Sequence, residues 1–215
     1  MKLDRKKANK MPEWKRQLLL SLREKKPHTK VAYLLPAKTG SMTVCTLLEK
    51  YKNSPLLGPR SHSHARRARD GCINIMTIRH PADRIRSYID YIGARYEDKK
   101  FMNAHPDRVQ EVTACACDDI NTVPQKIYGK EFPTGKPIQN SQKSYATRGV
   151  VCLKLDEIPE ALQILLKLKK IPDLPHVNKS KNKSDAIGPP AIHWLNQQKH
   201  YRDDLQLWNK WTRAD

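Results

Sequence analysis

The chain has 215 residues, with 41 lysines and arginines against 22 aspartates and glutamates, for a formal net charge of +19. That length suffices for a domain with a substantial core. No apolar run approaches the roughly 20 residues of a membrane span and no signal-peptide pattern opens the sequence, so a soluble, cytoplasmic protein is expected. Five cysteines without framework spacing fit reduced thiols rather than a disulfide scaffold, and Cys115-Ala116-Cys117 lacks the second pair or close histidine of a zinc set, so no metal is expected.

Residues 1–30 read as a basic extension carrying one helix over 13–25, with Leu18, Leu19 and Leu22 facing inward. The apolar run 31–35 predicts a first strand ended by Pro36, and a helix follows over 41–51. Residues 54–71, with Pro55, Gly58 and Pro59, read as irregular. A second strand spans 73–78. A helix over 82–96 follows, with Ile85, Tyr88, Ile89 and Ile92 on one face and Pro81 suited to its first position. Pro106 opens a helix through about residue 117, and 122–145 reads as loops with one short helix. A third strand spans 150–155, a helix 158–168 turns Leu162, Leu165 and Leu166 inward, 172–186 is a basic loop, and 190–211 is one terminal helix. Strands alternating with helices predict one α/β domain over 31–215. Its central parallel sheet is flanked by helices, with right-handed crossovers and ligands at the carboxyl edge.

Two segments carry chemistry. Residues 31–44 read VAYLLPAKTGSMTV: a strand, a hydroxyl-rich turn with one lysine and one glycine, and a helix start. Such a turn aims backbone N–H groups and a cation at one point, as phosphate sites do. The GxxxxGK[ST] spacing of a Walker A loop is absent. Residues 74–91 read NIMTIRHPADRIRSYIDY. Arg79 at a strand end and Ser87 two turns into the following helix are positioned to converge on one anion, a role that suits a bidentate guanidinium. Arg84 and Ser87, three apart, project together.

A PKTG[ST]T-like loop after the first strand, followed by RxPxxRxxSxY after a later one, resembles the signature pair of sulfotransferases that use 3′-phosphoadenosine-5′-phosphosulfate (PAPS). The similarity is nearest to the heparan 2-O-sulfotransferase-like carbohydrate branch. It implies a three-layer P-loop-like fold, with Lys38, Thr39, Gly40, Ser41, Met42 and Thr43 lining the 5′-phosphosulfate site and Arg79 and Ser87 binding the 3′-phosphate. In the weaker match 174–180, Asn178, Lys179 and Ser180 resemble a late loop that closes over the nucleotide. The chain departs from the pattern at Ala37, which separates Pro36 from Lys38, and at Met42, which replaces a hydroxyl.

Sulfuryl transfer needs a base for the acceptor proton and neutralisation of charge on the leaving phosphate. Lys38 is the electrostatic stabiliser. The resemblance implies a histidine base in the loop before the second segment, His64 or His62, with Asp70 as the carboxylate alternative. Arg60, Arg66, Arg67 and Arg69 form a basic cluster suited to gripping an anionic glycan. The competing readings are a basic nucleic-acid-binding protein, disfavoured by sparse aromatics and no recognised motif, and a P-loop small-molecule kinase, for which Asp156 is the only acidic strand end in view.

Overall fold

The computed structural model describes residues 11–24, 30–34, 36–51, 53–54, 68–129, 132, 138, 140–147, 149–175 and 186–212. The chain gathers into two compact units: Met1–Arg79, Gln142–Asn178 and Gln206–Asp215 form the first, and His80–Ser141 with Lys179–Leu205 the second.

The first unit holds a three-stranded parallel sheet, β1 (Val31–Leu34), β2 (Ile73–Thr77) and β3 (Val150–Leu153), in the order β1-β2-β3. Val31 pairs with Ile73 and Leu34 with Met76, while Asn74 pairs with Val150 and Thr77 with Leu153. Every residue of the three strands is buried. This is the near-continuous apolar pattern of a parallel sheet covered on both faces. The α/β class and parallel sheet are therefore as expected from the sequence.

Helices α1 (Glu13–Glu24), α2 (Ser41–Glu49) and α7 (Ile158–Leu166) also belong to this unit. Helix α1 is part of the core rather than an extension. Trp14 and Leu18, four residues apart on one face, are 1% and 0% exposed, and Lys15 pairs with Glu160 of α7. Leu22, expected inside, stands exposed in the last turn. Val44, Leu47 and Leu48 of α2, Ile158, Ala161, Leu162 and Leu165 of α7, and Leu207 and Trp211 near the end of the chain complete the core.

The second unit is helical: α3 (Pro81–Gly93), α4 (Lys99–Ala104), α5 (Val109–Cys117), α6 (Val123–Tyr128) and α8 (Pro189–Leu195), with the first part of α9 (Lys199–Thr212). Ile85, Tyr88, Ile89 and Ile92 are all buried, as their spacing requires. Helices α3 and α5 approach closely because Gly93 has no side chain; a Cβ there would lie 2.7 Å from the Cys115 carbonyl oxygen.

The terminal helix expected over 190–211 is instead two helices. After α8 the chain tightens through bonds from Gln197 N–H to Trp194 O and from Gln198 N–H to Leu195 O. Arg202 then donates to the Gln197 carbonyl (2.8 Å) and to that of Asn196 (3.3 Å), satisfying groups that the break sets free.

A polar cluster lies inside this apolar unit. Arg84, 1% exposed, pairs with Asp204 Oδ2 at 2.9 Å and donates to the carbonyl of Asn140 at 3.0 Å, and Ser141 Oγ donates to Asp204 Oδ1 at 2.6 Å. Arg84, expected from its spacing to project together with Ser87, is turned inward to the buried carboxylate of Asp204. Tyr88 OH donates to the buried Glu111, which also accepts from Arg108. Burial, then the Glu111 carboxylate, push the Tyr88 phenol well above its ordinary range.

Candidate anion site at the carboxyl edge of the sheet

Strand β1 ends at Leu34, and the turn that follows is unusual in its backbone. Lys38 has φ +63° and Gly40 φ +89°, both left-handed. For lysine this conformation costs free energy and persists only where the surroundings enforce it. At Gly40 the positive φ favours glycine, and a Cβ would also press on both methyl carbons of Leu155 at 2.8 Å, which would have to swing aside.

The turn is enforced by hydroxyl groups. Thr39 Oγ1 donates to the Pro36 carbonyl at 2.9 Å, and Ser41 Oγ donates to the same carbonyl at 2.8 Å. The Thr39 hydroxyl also lies 2.9 Å from that of Thr77 on β2, which in turn lies 2.6 Å from the phenol of Tyr33 on β1. Tyr33, Thr77 and Thr39 are 2%, 0% and 1% exposed. Burial pushes the Tyr33 phenol far above its usual range, so it remains a neutral hydrogen-bonding group. Thr39 is thus turned into the core, and its hydroxyl serves the turn from below.

Helix α2 starts at this turn. Its N-cap, Gly40, supplies no side-chain hydrogen bond, and the first intrahelical bond runs from Val44 N–H to Gly40 O at 3.1 Å. The N–H groups of Ser41, Met42 and Thr43 therefore precede the helical ladder and face out of the helix start, with the positive end of the dipole behind them. Met42 is exposed and Thr43 buried, so the turn presents backbone amides more than side-chain hydroxyls.

Arg79 lies at the end of the adjacent strand. Ile78 N–H makes a last ladder bond to Leu153 O at 2.8 Å. One buried side chain then holds the next peptide groups: Arg79 N–H donates to Gln142 Oε1 and Gln142 Nε2 donates to Arg79 O, both at 2.9 Å. Because β1 and β2 are parallel with Leu34 opposite Met76, the Lys38 turn and Arg79 leave the sheet at the same edge. Lys154 leaves β3 there too. Its backbone N–H donates to Glu157 Oε2, and its ammonium lies 5.8 Å from the Trp208 ring centre.

The remaining sequence candidates divide as follows. Ser87 is half-buried on α3 in the second unit, and His80 is the residue before α3, extended ahead of Pro81. Arg69 and Asp70 precede β2 and line a hollow of about 260 Å³ with Ser21, Glu24, Cys72 and Asn74. That is the amino-terminal edge. The five residues of β2, roughly 16 Å of extended chain, separate it from the Lys38 turn. Asp70 is accordingly not placed as a base beside Lys38, and Arg69 does not flank that turn, since a loop entering a parallel strand meets the opposite edge. His62, His64, Arg60, Arg66, Arg67, Asn178, Lys179 and Ser180 lie outside the described residues.

Sequence reasoning missed Tyr33, Thr77, Leu155 and Gln142. The first two carried a signal, being hydroxyl-bearing residues in otherwise apolar buried strands. Leu155 and Gln142 carried none. Among the described residues no group of histidines, cysteines and carboxylates is placed to hold a metal ion, and no helix is long and apolar enough to cross a membrane. No family model, no curated protein and no solved structure matches this chain.

Proposed function

We infer that the chain is a sulfotransferase with a P-loop-like donor site, moving a sulfuryl group from PAPS to an acceptor hydroxyl, with a carbohydrate as the acceptor class. The observation that carries this reading is the shared edge. A cationic turn opening a helix and an arginine closing the neighbouring strand stand side by side, joined through the Thr39–Thr77 hydrogen bond. A donor with phosphates at both its 5′ and 3′ positions has matching anions to offer. The amides of Ser41, Met42 and Thr43 and the Lys38 ammonium suit the 5′ group, and the Arg79 guanidinium suits the 3′-phosphate.

In such a reaction the acceptor oxygen attacks sulfur in line as the bond to the 5′-phosphate breaks. Negative charge grows on that phosphate, and Lys38 with the helix-start amides stabilises it. The family resemblance implies His64 or His62 as the acceptor of that proton. The excess positive charge of the chain favours an anionic acceptor.

The test is binding followed by transfer. Adenosine 3′,5′-bisphosphate should raise the melting temperature more than adenosine 5′-monophosphate does, and Arg79→Ala should remove the difference. Radiolabelled donor sulfate, offered with glycans, phenols and lipids, then identifies the acceptor. Equal stabilisation by the two nucleotides, or a response to ATP that depends on Mg²⁺, refutes the reading.

A further inference from the structure

We propose that Gln142 is the positioning residue that makes Arg79 selective for a 3′-phosphate, an inference that rests on the sulfotransferase reading and concerns the same site. Regular pairing of β2 ends at Thr77, and the last ladder bond is made by Ile78. Beyond it, the Gln142 amide presents one donor and one acceptor to the peptide groups of Arg79, as a neighbouring strand would. Gln142 is 1% exposed, and the two bonds to the half-buried Arg79 are partly shielded from water.

The mimicry extends the strand by two residues, and that fixes a direction. In extended chain, residues two apart lie on the same face. Thr77 lies on the face of the Thr39 turn, since their hydroxyls are 2.9 Å apart. Arg79, two residues on and held extended by Gln142, therefore leaves the backbone on the side of that turn. Replacing the Gln142 amide removes the two hydrogen bonds that hold the Arg79 peptide groups extended, and the guanidinium loses part of what fixes its origin. In this arrangement Gln142 influences the ligand through the peptide groups of Arg79. Pairing a side-chain amide with both backbone groups also explains why a polar residue is tolerated at so buried a position.

The experiment compares adenosine 3′,5′-bisphosphate with adenosine 5′-monophosphate by calorimetry on the full chain. Wild type should bind the bisphosphate at least about tenfold more tightly, the scale of one charge-assisted contact. Gln142→Met, of similar length but without the amide, should reduce that ratio by about fivefold or more while leaving monophosphate affinity within about twofold. In an Arg79→Met background the same substitution should change the ratio no further. If wild type shows no preference, the sulfotransferase reading fails and this inference fails with it. If wild type discriminates and Gln142→Met discriminates equally, or weakens both nucleotides together, Gln142 is a packing residue and the inference alone is overturned. Should Gln142→Met not fold, Gln142→Asn, which keeps the amide one methylene too short, is judged by the same ratio.

Discussion

The hydroxyl of Thr77 lies between those of Tyr33 and Thr39, at 2.6 and 2.9 Å, and so joins two strands to the turn that follows the first. Replacing Thr77 by valine keeps the shape and takes the side-chain partner of the Tyr33 phenol away in a dry interior. A loss of about 1–3 kcal/mol is expected, read by urea denaturation. The same variant should weaken nucleotide binding, because the turn loses its anchor to β2. Unchanged stability would mean that the three hydroxyls are not coupled.

Gly40→Ala combines two penalties, a φ of +89° and a clash of 2.8 Å with Leu155. The expected cost is about 1–3 kcal/mol. Adding Leu155→Ala should relieve the clash but not the backbone strain, so the double variant should be more stable than the sum of the two single losses predicts. A strictly additive result would place the whole cost in the backbone.

The Arg84–Asp204 pair is buried on both sides, at 2% and 4% side-chain exposure. Removing one partner takes the opposite charge away from the other inside a dry interior. Arg84→Met and Asp204→Leu should each cost about 3–5 kcal/mol, whereas the double variant should recover much of that. Chemical denaturation of the four proteins in the cycle checks it. Equal losses in single and double variants would show that the carbonyl and Ser141 contacts, not the ion pair, hold the cluster.

Burial pushes the Cys115 and Cys152 thiols from an ordinary 9.0 up to about 12. The folded protein therefore holds these protons more tightly than the unfolded chain. That contribution is fully present below pH 9 and is lost as pH rises toward 12. Stability should fall over this alkaline window, and replacing both cysteines by alanine should flatten the fall. In a thiol-reagent assay at pH 8, the exposed Cys117 should react at once and the two buried thiols only on unfolding.

How much of this was legible in the sequence follows from range. The strand, turn and helix at 31–49 and at 73–93 are written locally. Apolar runs stopped by Pro36 and by Arg79-His80-Pro81 leave little choice of structure. The buried face Ile85, Tyr88, Ile89 and Ile92 follows from helical spacing alone. Gln142 meets Arg79 across 63 residues and Asp204 meets Arg84 across 120, and no local pattern marks such partners. The break between α8 and α9 was hidden for a related reason: Asn196, Gln197 and Gln198 are acceptable in a helix, and only the carbonyl contacts of Arg202 favour the turn. Trp14 carries a weak signal because the leucines beside it offer the more obvious apolar face.

The first unit is discontinuous in sequence, and its central strand, β2, needs a partner from each side. Val150–Leu153 must join Ile73–Thr77, and Leu207 and Trp211 must then fill the same core. On the ribosome, Trp14 waits for core partners translated almost two hundred codons later. Helices α1 and α2 emerge with apolar faces uncovered, so this unit matures only after the codons for Leu207 and Trp211 have been read.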